Sequence, residues 1–343
     1  MFTYPLESRT VARSATRSGR RSLCALAAAL LLLVPTLLVP VAARAQTDDP
    51  RVAECEDPGE DWVFCTGFEE GDLDLWDDWD DNPPETNLLM EDPGPQDIAG
   101  NHVCRLRAPE GRGGADLLKV LPDTYDVLYA RWYVKWEPGY DFDARNHGGG
   151  LHAGSRSLLG HAGDRPAGDD WFSAWIEPHN THHRLYSYVY YRGMYQDCAD
   201  PNGSCWGDHF PCMVDEGQTY CTNPDHRETL APPQPEPGRW YCVELMIDAG
   251  TPTTDGSGAD GILNFWVDDV SYGPWTEMWF RTTPDLKLNI FWLNLWFHAD
   301  HSEAGIMVDD VVVSTSRIGP RDAATETEPE SWGATKARYG GDH

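Results

Sequence analysis

Three segments of the sequence alternate so that aromatic and polar side chains collect on one face. Side chains two positions apart lie on the same side of a β-strand. The three faces hold Trp171, Ser173 and Trp175; Tyr186, Tyr188 and Tyr190; and Trp292, Asn294, Trp296 and His298. Aromatic rings suit the apolar faces of pyranose rings, and hydroxyl or amide groups suit sugar hydroxyls. We interpret these residues as a sugar-binding face. The alternative is ordinary buried core, where Trp and Tyr are also common.

The elements that must position these residues read as short β-strands. Eight segments are rich in β-branched and aromatic residues and are bounded by Gly, Pro, Asp or Asn. They are VCRLRA, LYARWYVKWE, WFSAWIE, RLYSYVYYRG, RWYCVELMID, GILNFWVDDV, LKLNIFWLNLWFH and IMVDDVVVST. Long amphipathic helical patterns are absent. The pattern predicts an all-β sandwich or jelly roll whose exposed concave face carries the aromatic set.

One region departs from this alternation. Residues 193–238 contain four cysteines, several prolines and little periodicity. We therefore expect a disulfide-pinned loop excursion from the sandwich.

The two ends of the chain read as segments outside the fold. Residues 1–45 combine a positive flank, an apolar run and a small-residue cleavage pattern, which is typical of a signal peptide. Residues 46–60 are interpreted as an acidic linker, 61–320 as a single carbohydrate-active domain, and 321–343 as a disordered tail. The mature protein is therefore expected to be secreted, either extracellular or periplasmic.

Charge limits the choice of partners. Residues 1–45 hold six Arg and one Glu, so their removal changes the net charge from −30 to about −35. Such a surface repels nucleic acid and anionic membranes, and both are unfavoured partners. We expect a monomer that binds a polysaccharide.

The cysteine count favours disulfides. Nine cysteines less Cys24 leave eight, an even number in an exported chain. The spacing suggests the pairs Cys55–Cys65, Cys104–Cys242, Cys198–Cys205 and Cys212–Cys221. Other pairings remain open, since eight cysteines allow about 105 of them. No paired Cys-x-x-Cys motif supports zinc.

Several of these segments occur in an order that resembles a known family. They are KWEPGYDF, the loop NHGGGLHAG, WFSAWIE, LYSYVYY, the GRWYCVELMID to GILNFWVDDV pair, and the closing FRTTPDLKLNIFWLNLWFHADH and VDDVVVSTSRIGP. This order resembles the jelly-roll polysaccharide lyases related to alginate and glucuronan lyases, family fourteen of that class. The resemblance implies a concanavalin A-like β-jelly-roll sandwich and β-elimination of acidic glycans, with no cofactor required.

The family's site residues transfer only in part. Its loop Lys falls on His147 or Asn146, its Ser on Ser173, and its Arg on Trp175. Its tyrosine pair falls on Tyr186 and Tyr188, or on Tyr188 and Tyr190 in a shifted register. The resemblance therefore implies a catalytic set of Tyr186, Tyr188 and His147 that lacks the family's cations.

The missing cations have a chemical consequence. A uronate lyase stabilises charge on the C6 carboxylate while a base removes the C5 proton. A Tyr serves as that base only when nearby positive charge lowers its pKa. Positive charge would have to come from His147, Arg131, Lys135 or Arg184.

Two other functions remain open. The first is a non-catalytic, lectin-like or cell-surface glycan binder on the same scaffold. The second is a glycoside hydrolase, which needs two acids facing the groove. Only Glu177 is an obvious candidate for such an acid, so the hydrolase is the least favoured.

A structural calcium site is a further hypothesis. The opening FCTGFEEGDLDLW resembles the first strand of many carbohydrate-binding jelly rolls, where acidic residues of the first and last strands share calcium. Here Glu69, Asp309 and Asp310 would supply oxygens. The alternative is that they are solvated surface carboxylates.

Overall fold

The computed structural model is an all-β sandwich of two antiparallel sheets. It describes residues 54–56, 58–79, 86–108, 113–195, 199, 206–212, 214–215, 218–219 and 230–321. This architecture confirms the predicted fold class, a concanavalin A-like jelly roll. Two three-residue 3-10 turns, Glu54–Glu56 and Arg156–Leu158, accompany the strands. No helix among the described residues is long and apolar enough to span a bilayer.

The first sheet has nine strands in the order β16-β15-β14-β6-β19-β4-β3, with β1 paired to β19 and β17 to β15. Their bounds are β1 Trp62–Thr66, β3 Asn87–Glu91, β4 His102–Leu106, β6 Val127–Trp136, β14 Trp240–Asp248, β15 Gly261–Val267, β16 Val270–Ser271, β17 Trp275–Met278 and β19 Ile306–Ser314.

The second sheet has eight strands in the order β11-β10-β9-β8-β18-β5-β2, with β7 paired to β18. Their bounds are β2 Asp78–Trp79, β5 Gly113–Tyr125, β7 Asn146–His147, β8 Gly149–Gly154, β9 Trp171–Pro178, β10 Leu185–Tyr190, β11 Asp208–Phe210 and β18 Leu288–Phe297. A separate hairpin joins β12 Val214–Asp215 to β13 Gln218–Thr219.

The core lies between the sheets and follows the predicted alternation of β18. Phe291, Leu293, Leu295 and Phe297 are all buried on the inner face of the second sheet. The Phe291 ring meets that of Trp132 from β6 across the interface, with centroids 5.9 Å apart. Burying one such side chain contributes about 2 kcal/mol, so this face holds the sheets together.

The predicted cysteine pairs have different outcomes. The Cys55–Cys65 disulfide is confirmed. The Cys104–Cys242 pair is wrong, because both thiols are free and buried. Cys104 lies on β4 and Cys242 on β14, with β19 and β6 between them. Three strand spacings are roughly 14 Å, twice the reach of a disulfide.

The other two predicted pairs lie mostly outside the described residues. Cys212 is disulfide-bonded, but its predicted partner Cys221 lies outside that part of the chain. Cys198 and Cys205 also lie outside it.

The region predicted as an excursion contributes a strand to the sandwich. Residues 208–210 form β11, which pairs with β10 at the edge of the second sheet. The signal peptide, most of the acidic linker and residues 322–343 of the predicted tail lie outside the described residues. Within the predicted linker, the turn at Glu54–Glu56 is joined to β1 by the Cys55–Cys65 disulfide.

Candidate functional site

The outer face of the second sheet brings the three aromatic segments together. Tyr188 on β10 is paired with Trp175 on β9, which is paired with Gly150 on β8, which is paired with Trp292 on β18. His209 of β11 extends this row on the far side of Tyr188. Paired residues of neighbouring strands share a face. The strand pairing therefore gathers residues that are far apart in the sequence.

The absence of a side chain at Gly150 allows the residues of this row to pack closely. A Cβ at Gly150 would lie 2.0 Å from the Ala174 carbonyl oxygen and 2.8 Å from the Trp175 Cα. With no side chain there, the rings of Trp175 and Trp292 meet edge to face, 5.9 Å between centroids. The glycine run of the loop thus serves close packing of strand and aromatic ring.

Segments of the chain cover most of this face, so the expectation of an exposed face is wrong over most of its area. His161 packs edge-on against Trp171, and the Gly207 amide donates a 3.1 Å hydrogen bond to the Tyr188 hydroxyl. Eight of the predicted sugar-binding and catalytic residues are buried: Trp171, Ser173, Trp175, Tyr186, Tyr188, Tyr190, Trp292 and Asn294. His147 and Trp296 are half-buried and His298 is exposed, so the solvent-accessible part of the face lies around these three.

A buried carboxylate lies beneath this accessible part. Glu177 is only 1% exposed and accepts three hydrogen bonds. Its Oε1 accepts from the Tyr186 hydroxyl at 2.5 Å, and its Oε2 accepts from the Gly148 amide at 3.0 Å. The Nδ1 of His147 lies 3.1 Å from the same Oε2. This contact with Glu177 anchors Nδ1 of the His147 imidazole and leaves its Nε2 facing outward.

The outward nitrogen of His147 meets a second histidine. The Nε2 atoms of His147 and His298 are 2.8 Å apart, a hydrogen-bond distance. The His147 ring also stacks on the Tyr188 ring, with centroids 5.3 Å apart and an interplanar angle of 8°. Tyr188 and Glu177 therefore fix the plane and rotation of this imidazole.

The two tyrosines predicted as catalytic are in environments that keep them protonated. Burial, followed by the Glu177 carboxylate, raises the pKa of Tyr186 well above its ordinary value. Burial, followed by its hydroxyl neighbour Tyr190 at 2.9 Å, raises the pKa of Tyr188 in the same direction. Both phenols are therefore suited to donating hydrogen bonds rather than to accepting a proton.

Two further histidines of this face are held neutral. Burial, with the charges of His179, His147 and Arg145 in addition, lowers the pKa of His209 well below its usual range. Burial lowers the pKa of His152 to about 4, and its Nδ1 lies 2.6 Å from the Ser173 hydroxyl. The buried Ser173 hydroxyl is thus hydrogen-bonded to the buried His152.

The cations named from the sequence are distributed differently from what was expected. Arg131 and Lys135 lie on β6 of the first sheet, where they pair with Glu54 and Asp92. They point away from the core on that sheet and cannot reach the second sheet, so their suggested role at the groove is wrong. The sequence interpretation missed Arg145, which lies two residues before His147 with its guanidinium 5.8 Å from the Trp206 ring.

Sequence reasoning also undervalued Glu177 and missed His209. Glu177 shares a face with Trp175 by simple alternation, and that signal was visible. His209 had no comparable signal, because it lies in the region without periodicity.

The three residues of the predicted calcium site each have another partner. Glu69 accepts the backbone amide of His102 at 2.8 Å, Asp309 accepts from Asn101 at 2.9 Å, and Asp310 accepts from Arg321 at 2.8 Å. No group of three or more metal-ligating side chains occurs among the residues that the structure describes. Calcium takes six to eight oxygens, and at least one of the two carboxylate oxygens of each of these three residues already accepts another hydrogen bond. Calcium binding itself stays a prediction.

Comparison with known proteins gives a fold but no sequence family. No family model matches the chain, and no curated protein matches it. Among solved structures, an alginate lyase from a Chlorella virus matches 74% of this chain and 100% of its own, with 16% identity and a TM-score of 0.51. An endo-β-1,4-glucuronan lyase from the fungus Trichoderma reesei matches 74% of this chain and 96% of its own, with 16% identity and a TM-score of 0.46. The match to the Chlorella virus enzyme shows that the chain has a jelly-roll fold similar to that of a polysaccharide lyase, in agreement with the resemblance seen in the sequence.

Proposed function

We propose that the protein is a secreted polysaccharide lyase that cleaves uronate glycans by β-elimination. The observation that carries the proposal is the placement of His147. His147 is one of the two residues, with Asn146, onto which the catalytic cation of the resembling family transfers. Glu177 anchors its Nδ1, and its Nε2 faces the exposed His298. A neutral imidazole held in this way is a competent general base.

The reaction assigns a role to each group around His147. The Nε2 of His147 removes the C5 proton, and negative charge develops on the C6 carboxylate. Hydrogen-bond donors aimed at that carboxylate lower the barrier. Trp175 stands where the family has Arg, and its indole N–H has no hydrogen-bond partner among the described residues. The Trp175 N–H is buried and does not reach the accessible part of the face, so we assign the carboxylate to the exposed Arg145 guanidinium. The raised pKa values of Tyr186 and Tyr188 favour donor roles for both.

Substrate and location follow from the same features. Trp296 borders the two accessible histidines and would stack on a sugar ring next to the reacting one. The predicted signal peptide and the Cys55–Cys65 disulfide support export, since disulfides persist in oxidising compartments. We propose a monomer that acts on a polysaccharide outside the cytoplasm.

The test is incubation of the mature chain, residues 46–343, with a panel of uronate polymers while the absorbance of the unsaturated product is followed. We expect product from at least one polymer and none from the His147→Gln variant. Binding of a polymer by the wild-type protein without product from any of them would contradict the proposal and favour the non-catalytic glycan binder.

A further inference from the structure

We propose that His298 is a second catalytic residue, the acid that protonates the leaving oxygen O4, and that Glu177 is a positioning residue that fixes the tautomer of His147. The inference rests on the proposed lyase function. It starts from the polarity of one chain of hydrogen bonds that joins Tyr186, Glu177, His147 and His298.

Glu177 determines which atom donates and which accepts in each hydrogen bond of this series. An ionised carboxylate only accepts hydrogen bonds. The His147 Nδ1 facing it at 3.1 Å must therefore carry a proton. In the neutral ring the other nitrogen, Nε2, then has only a lone pair. That lone pair is directed at His298.

The contact between the two histidines then has a single direction. The Nε2 atoms of the two rings are 2.8 Å apart, and His147 Nε2 offers only a lone pair, so His298 Nε2 must be the hydrogen-bond donor. When His298 is protonated on both nitrogens, the pair consists of a neutral base and an imidazolium acid in direct contact. The imidazolium also supplies positive charge that the missing Lys and Arg of the family would have supplied.

The elimination step balances with these two groups. Substrate first replaces the contact between the two Nε2 atoms, so that the lone pair of His147 faces C5–H and the proton of His298 faces O4. The C5–H bond then breaks and its proton goes to His147 Nε2, the C4–O4 bond breaks as the C4–C5 double bond forms, and His298 Nε2 gives its proton to O4. After the step His147 is the imidazolium and His298 is the neutral ring. Transfer of one proton across the Nε2–Nε2 contact restores the starting state once the products leave. No oxidant, reductant or other co-reactant is required.

The elimination step requires one extra proton on the histidine pair, and other charged and titratable groups lie near it. Glu177 beneath His147 offsets one positive charge. Arg145 lies two residues before His147 in the chain. Tyr188 on β10, whose ring stacks on His147, and the neutral His209 on β11 add no negative charge. Because the proposed acid must carry a proton and the proposed base must not, activity should be bell-shaped in pH.

Activity measurements provide the first test, with matched controls on the first sheet. His298→Gln should lower kcat at least 100-fold with KM changed less than about threefold, and should remove the loss of activity at high pH. Glu177→Gln should lower kcat at least tenfold. Glu244→Gln, which alters an equally buried carboxylate bonded to the Ile318 and Gly319 amides, should leave turnover at the wild-type level, as should His102→Gln.

Nitrogen NMR of histidine-labelled protein is the second test and does not depend on activity. The His147 signal, assigned by its loss in His147→Gln, should show Nδ1 protonated in the neutral ring of the wild type, and a mixed tautomer in Glu177→Gln. Unsaturated product from wild type together with an unchanged rate and pH profile for His298→Gln would overturn the acid role alone. An Nε2-protonated His147 would overturn the positioning role. Failure of wild type to yield product would overturn the lyase function and the acid role with it, while the NMR result would still decide the role of Glu177.

Discussion

The hydroxyl of Tyr186 donates a 2.5 Å hydrogen bond to the Glu177 carboxylate on the outer face of the second sheet. Both groups are buried, so the bond satisfies a charge that would otherwise be costly inside the protein. It also shows why Tyr186 is a poor base: the nearby carboxylate and burial both oppose its ionisation.

Tyr186→Phe should therefore act mainly on stability. The change removes one of three donors to Glu177, and losing a hydrogen bond to a buried charged group costs about 2 kcal/mol. The measurement is urea unfolding followed by Trp fluorescence. Tyr241→Phe is the matched control. Tyr241 lies on β14 of the first sheet, and its hydroxyl accepts a hydrogen bond from the loop amide of Glu236, a neutral contact whose loss should cost about 1 kcal/mol. Equal costs for the two variants would contradict the special role of the Glu177 contact.

The rate effects of His147 and Tyr188 should differ. His147→Gln removes the base and should lower kcat by at least 100-fold. Tyr188→Phe keeps the ring that stacks on His147 and should lower kcat by less than about tenfold, because the raised pKa of Tyr188 makes it unsuited to accept the proton. Both are measured by the absorbance assay on a polymer that the wild-type protein degrades. A larger loss for Tyr188→Phe than for His147→Gln would assign the base to the tyrosine.

Gly150→Ala should damage the fold. The new Cβ would lie 2.0 Å from the Ala174 carbonyl oxygen, and neither strand can move without breaking its pairing with the other. We expect a loss of about 3 kcal/mol in the free energy of unfolding, at the upper end of overpacking costs. Gly67→Ala is the control, because the nearest atom to its added Cβ is an Asp310 oxygen at 3.6 Å, ordinary van der Waals contact. Equal stability of the two variants in urea would show that β8 has room that the structure does not indicate.

His152 should make the protein less stable in mild acid. Its pKa is about 4 in the folded state because of burial, against about 6.5 in an unfolded chain. Between these values the unfolded state binds more protons, so stability contributed by neutral His152 is complete above pH 6.5 and is lost as the pH falls. The loss reaches roughly 3 kcal/mol by pH 4.

The comparison that isolates this effect uses two variants. His152→Gln cannot be charged and should lose less stability than the wild type between pH 7 and pH 4.5 in urea unfolding. His102→Gln changes an exposed histidine and should follow the wild-type slope. Identical slopes for all three proteins would show that His152 does not titrate as its burial requires.

Cys104 and Cys242 should be protected thiols. Burial raises the pKa of the Cys104 thiol far above its ordinary value and that of Cys242 to about 12. Iodoacetamide should therefore leave both unmodified in the native protein and alkylate both after denaturation without reductant. Cys55 and Cys65 should resist alkylation in each case, as their disulfide requires. A peptide that links Cys104 to Cys242 in the mass spectrum would contradict the structure.

Periodicity and spacing in the sequence were enough to predict which side chains share a face of a strand and to predict one disulfide. Alternation along residues 288–297 correctly separated the core side chains from the outer set, because a strand exposes alternate residues to opposite sides whatever its neighbours are. The same periodicity put Glu177 on the face of Trp175 and Tyr186 on the face of Tyr188. The spacing of Cys55 and Cys65 was enough to predict their disulfide.

The pairing of distant strands and the covering of the outer face were visible only in the folded protein. His147 and Trp296 are paired across neighbouring strands, and Cys104 and Cys242 are kept apart by two strands of one sheet. Arg131 lies on the first sheet, because its strand β6 pairs with β14. Periodicity carries no information about which strands become neighbours, because that choice depends on packing between distant segments. The contact of His147 with Glu177 and His298, on which the proposed chemistry depends, exists only once those strands have been brought together.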